Sequence, residues 1–116
     1  MKVVAIRGAV HAGDDPERFR FEIANDASPQ DVLRRAADRT WLPSIQGDHA
    51  TWSIASNNLL AVVAYEWSDL KFLPNLEELM RAADWRGGAL WLRFNYHAQI
   101  DPDVVYRLFW GTRLHA

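Results

Sequence analysis

The side chains of this chain that could do chemistry are two histidines, a set of arginines and one tryptophan, spaced as strands space them. From Ala89 to His97 polar and apolar residues alternate, so Trp91, Arg93, Asn95 and His97 share one face and Leu90, Leu92, Phe94 and Tyr96 the other. With the first and last strands parallel neighbours, Arg7, Ala9 and His11 join the polar face, a second strand adds Arg20 and Glu22, and a third Thr51 and Ser53. His11 and His97 with Glu22 would offer imidazole and carboxylate ligands suited to zinc, although the usual ligand spacing is missing. One of these histidines beside Arg and Glu could act as acid or base near neutral pH, but no nucleophile or oxyanion donor accompanies it. Arg and Trp are also the residue types that dominate protein interfaces, and Arg suits bidentate recognition of carboxylate or phosphate. The favoured expectation is therefore a binding surface made of Arg7, His11, Arg20, Trp91, Arg93, Asn95 and His97, with no catalytic residue, metal ligand or cofactor assigned. The competing reading is a solvated sheet face whose Arg stems cover apolar surface.

Composition narrows the classes. A length of 116 residues, 49% hydrophobic and 24% charged, suits one folded domain, residues 1–116. Thirteen basic against fifteen acidic side chains give a net charge of −2, which speaks against a dedicated duplex-DNA or membrane-surface binder. Single-stranded nucleic acid stacking on Trp91 beside Arg93 and Arg7 is a minor alternative for the same reason. The absence of Cys excludes disulfides, thiol catalysis and Cys-based zinc patterns, and fits a cytoplasmic location. The N-terminal apolar stretch is broken by Arg7 and His11 and reads as a strand rather than a signal peptide, and no run is long enough to span a membrane. No phosphate loop, nucleophile elbow or HExxH motif is present, so an enzyme is the less expected class.

The elements that must position these residues follow in order. Lys2 to His11 reads as a strand, Gly13-Asp14-Asp15-Pro16 as a turn, and Arg18 to Ile23 as the hairpin partner. Ser28 and Pro29 open a helix with Val32, Leu33, Ala36 and Ala37 on its apolar face; Asp31 can pair with Arg35, and Asp38 with Arg34. Thr51–Ser56 and Leu59–Trp67 read as strands around Asn57-Asn58, with Trp52 and Trp67 expected in the core. Pro74-Asn75 starts a second helix, Asn75 and Glu78 standing at capping-box spacing. After Gly87-Gly88 comes the strand to His97, then a helix from Asp101-Pro102 carrying Val104, Val105, Leu108 and Phe109 to a stop at Gly111.

The order ββαββαβα resembles that of the ubiquitin-like β-grasp over residues 2–97, with a terminal helix added. That resemblance implies a mixed sheet with helices packed on one face, Val4, Ile6, Phe19, Phe21, Trp52, Leu92 and Phe94 lying beneath them. Carriers and modifiers of that fold end in Gly-Gly, whereas Gly87-Gly88 is internal here, so a carrier role is not expected. A ferredoxin-like or other α/β sandwich is the alternative fold. The expected function is a small cytoplasmic protein-binding module, in one form an immunity or antitoxin-type inhibitor. The alternative is a small enzyme or metal-binding protein using His11 and His97; a homo-oligomer is compatible with either.

Overall fold

The computed structural model describes residues 1–7, 17–37, 51–64, 67–97 and 100–114; for residues 17 and 109–114 the backbone alone is described. Its first strand, β1 (Lys2–Arg7), pairs antiparallel with β2 (Glu17–Glu22). Helix α1 (Pro29–Ala36) starts where Ser28 Oγ accepts the Asp31 N–H at 3.1 Å and Pro29 fills the first turn. At eight residues α1 is too short to stand alone, and it is held by burying Val32, Leu33 and Ala36. Strands β3 (Thr51–Ser56) and β4 (Asn58–Ala64) form a hairpin that turns on Asn57, whose φ is 64°. Asn adopts this left-handed conformation at lower cost than most residues. A two-residue strand, β5 (Lys71–Phe72), precedes α2 (Leu76–Arg81). Then β6 (Asp84–Arg86), β7 (Ala89–Tyr96) and α3 (Pro102–Leu114) complete the described elements.

The sheet is mixed, with order β2-β1-β7-β3-β4-β5 and β6 paired with the start of β7. Strands β1 and β7 are parallel, and every other pair is antiparallel. One face carries Val3, Ala5, Phe21, Trp52, Ile54, Leu90, Leu92 and Phe94 into a core shared with Val32 and Leu33 of α1 and Leu76 and Leu79 of α2. Helix α3 packs elsewhere. The Thr51 hydroxyl donates to the Ile100 carbonyl at 2.8 Å, Lys71 reaches Asp103 at 2.6 Å, and Val105 is buried. Thr51 and Lys71 share a face with Val62 and Ala64, opposite the α1–α2 core, so the three helices do not lie on one side. The hydrogen bond from Lys71 holds the Asp103 carboxyl below the usual carboxylate range.

Several local expectations need correcting. Asn75 sits at α2's start in the left-handed conformation, φ 60°, and its side chain makes no capping bond. Helix α3 runs through Gly111 to Leu114, because one glycine costs a helix only about 1 kcal/mol and need not end it. Of the apolar residues that α3 carries, Val105 is buried, while Val104 and Leu108 are 44% and 65% exposed. Strand β4 is described to Ala64, and Trp67 lies outside it, half-buried beneath the Lys71 ammonium rather than in the core. Arg34 bonds Asp31 and Asp69, tying α1 to the segment after β4, while Arg35 stacks on Phe19 and Phe21. Asp69 is held below the usual carboxylate range by Arg34 and then by the Leu70 N–H. The turn at 13–16, His11 and Asp38 lie outside the described residues.

With α1 anchored by one fully buried leucine and one capping hydroxyl, the two contributions are separable. Leu33→Ala is expected to lower the unfolding free energy by about 2–5 kcal/mol and Ser28→Ala by about 1 kcal/mol, both measured by urea denaturation.

Candidate binding face

On the face opposite the α1–α2 core, β2, β1, β6 and the first part of β7 carry exposed cations. Register puts Val4 beside Trp91 and Ile6 beside Arg93 across the parallel pair. On the other flank of β1, Arg20 faces Val4, Arg18 faces Ile6 and Glu22 faces Lys2. Opposed residues of paired strands share a face. Lys2, Arg18, Arg20, Arg86 and Arg93 therefore stand with Trp91 on one surface, together with the carboxylates of Glu22 and Asp84.

Trp91 is the centre of this arrangement. Its ring lies 4.5 Å from the Arg86 guanidinium carbon and 5.6 Å from that of Arg18, both within cation–π range. Arg86 is itself forked onto Asp84, Nε to Oδ1 at 3.1 Å and one terminal nitrogen to Oδ2 at 2.9 Å. The buried Ser56 fixes the frame: its hydroxyl accepts the Asp84 N–H at 2.8 Å and donates to the Trp91 carbonyl at 2.6 Å. Lys2, Arg18, Arg20 and Arg93 make no ion pair with a described residue. Two shallow depressions of about 480 and 220 Å³ meet at Trp91 and Arg86. Val4 lines the first and Ile6 the second.

The structure thus brings Arg20, Trp91, Arg93 and Asn95 together on one face, with Arg20, Arg93 and Asn95 exposed. It does not place Arg7 there. Arg7 pairs with Phe94, on the α1–α2 side, and is 8% exposed. The cause is that β1 is apolar at Val3, Val4, Ala5 and Ile6, so alternation cannot say which set turns inward. Val3 and Ala5 take the core side; Val4 and Ile6 lie beneath the arginines instead. Arg18, Arg86 and Lys2 complete the face unanticipated. Arg18 was readable from its alternation with Phe19 and Arg20. Arg86 required β6, a strand of three residues joined to β7 by Gly87 and Gly88, both at positive φ as a type I′ turn demands.

His97 lies apart from this cationic surface, toward α3. It is half-buried, and its Nε2 lies 2.7 Å from the Ser53 hydroxyl, which is 1% exposed. Burial lowers its pKa below the ordinary value of about 6.5. Among the described residues no group of three or more His, Asp or Glu could hold a metal ion, and no helix is long and apolar enough to cross a membrane. Comparison with known proteins found no matching family model and no significant similarity to a curated protein or a solved structure.

The His97 environment sets a pH dependence. A histidine whose folded pKa is depressed contributes fully above its unfolded value, and that contribution is lost as pH falls through the folded value. Urea denaturation should therefore show stability falling from pH 7.5 toward pH 5, by at most about 1.4 kcal/mol per pH unit for one group. His97→Gln should flatten that part of the profile relative to the parent, whose other histidines serve as the internal control.

Proposed function

We propose that this protein is a small protein-binding module, acting in the cytoplasm, that holds a partner protein against the surface built around Trp91. Its concrete form is an inhibitor of the immunity or antitoxin type. The observation that carries this reading is a half-buried tryptophan flanked by the Arg18 and Arg86 guanidiniums on an exposed sheet face. Aromatic and Arg side chains of this kind are enriched among the residues that dominate interface energetics. The β-grasp reading of the fold goes with it. What supports it is the order β2-β1-β7-β3-β4 with a parallel β1–β7 pair at its centre, to which β5, β6 and α3 are additions. The metal or acid–base alternative has no comparable support, since His97 is engaged by a buried serine and no metal-binding cluster occurs among the described residues.

The test is partner capture from the native host with tagged protein, quantified against variants. Trp91→Ala and Arg93→Ala should each reduce capture about tenfold or more while circular dichroism shows the fold retained. Glu77→Ala, on the exposed side of α2, should leave capture unchanged. Capture indifferent to both face variants would overturn the placement.

A further inference from the structure

We propose that the segment bound at this face is an acidic, extended stretch of the partner protein, its carboxylates taken by the arginine guanidiniums; this rests on reading the face as an interface. Charge is the first ground. Five cations face two carboxylates here, although the whole chain carries −2, so the surface is positive on an otherwise acidic molecule. One carboxylate, Asp84, is already committed to Arg86. Arg18, Arg20 and Arg93 have no ion-pair partner among the described residues, which leaves their N–H donors available to carboxylates of a docking segment.

Spacing is the second ground. Arg18, Ile6 and Arg93 form one row across three strands, and Arg20, Val4 and Trp91 form the next. Rows two residues apart along a strand are about 7 Å apart, the repeat of alternate side chains on an extended peptide. Carboxylates at every second position would meet successive rows, while the residues between them would point away from the sheet.

A single-stranded nucleic acid is the other polyanion that a basic, aromatic surface could take, and the structure disfavours it. Base stacking needs an open aromatic face, whereas guanidiniums already stand against the Trp91 ring.

Fluorescence anisotropy on the full chain tests this with three labelled probes of equal length: a ten-residue peptide of alternating Glu and Ser, its Lys–Ser counterpart, and oligothymidylate. The Glu–Ser peptide alone should bind, weakening about fivefold or more between 50 and 300 mM salt. Arg20→Gln and Arg93→Gln should each weaken it severalfold, and Glu22→Gln should strengthen it. Tighter binding of oligothymidylate with quenching of tryptophan fluorescence would overturn the proposal in favour of nucleic acid. Peptide binding that ignores both arginine variants would overturn it as well. So would no binding of any probe while Trp91→Ala still abolishes partner capture, a result that keeps the interface and removes only its acidic occupant. Capture insensitive to Trp91→Ala and Arg93→Ala would instead remove the interface itself.

Discussion

The parallel pairing of β1 with β7 is the constraint on which the rest of the molecule depends. Side chains alternate along both strands, so the register that sets Val4 beside Trp91 assigns every residue of β2, β1, β7 and β6 to a face at once. A slip of one residue would bring Val3, Ala5 and Arg7 to the cationic surface and turn Val4 and Ile6 into the core. Two features hold the register. Val3 and Ala5 are essentially inaccessible among Phe21, Leu90 and Leu92. The start of β1 is tied to the end of β2, where the Met1 ammonium donates to the Ile23 carbonyl at 2.8 Å and to Asn25 Oδ1 at 2.6 Å. The Ile23 N–H donates back to Met1 at 3.0 Å.

Buried hydroxyls then divide the second face into two halves with different fates. Thr51, Ser53 and Ser56 are all at most 3% exposed, and each is satisfied across an element boundary: the Ile100 carbonyl, the His97 ring, and the Trp91 carbonyl together with the Asp84 N–H. A buried hydroxyl without a partner would cost about 1–3 kcal/mol. These bonds therefore fix His97 and Ile100 against β3 and set where β6 meets β7. The β3–β4 half is sealed as a result, with Val62 and Ala64 almost inaccessible, while Arg20, Arg93 and Asn95 remain in solvent on the other half.

What sequence reveals about this molecule follows from how strongly each segment is patterned. Where one face is polar and the other apolar, as in β7 from Leu90 to Tyr96, both the strand and its facing are legible. Helix α1 is legible for a different reason: Ser28 and Pro29 act on the backbone locally and need no tertiary partner. Strand β1 is legible as a strand but not in its facing, since four apolar residues in succession satisfy either register. Strands β5 and β6 carry two and three residues, too few for a period to show; the Gly87-Gly88 turn was the one readable trace of β6. Alternation alone therefore grouped Arg20, Trp91, Arg93 and Asn95 on one face. Arg7 was misplaced because its facing depends on β1, and Arg86 went unseen because it depends on β6.

The cationic face is also inexpensive to maintain in the free protein. Charges in neighbouring rows stand about 7 Å apart, where two like charges in water repel by about 0.6 kcal/mol, and salt screens this further because the Debye length is of similar size. Against that small cost, Arg18 and Arg86 each gain about 0.5–1 kcal/mol from the Trp91 ring. Their stems, with that of Arg20, can cover the apolar ground formed by Val4 and Ile6. The balance changes when a partner excludes water. Repulsion among the uncompensated guanidiniums then grows as the local dielectric falls, and carboxylates brought by the partner are attracted by the same factor. A neutral or basic partner would meet only the first effect and an acidic one both, so at the proposed interface desolvation would favour negative charge.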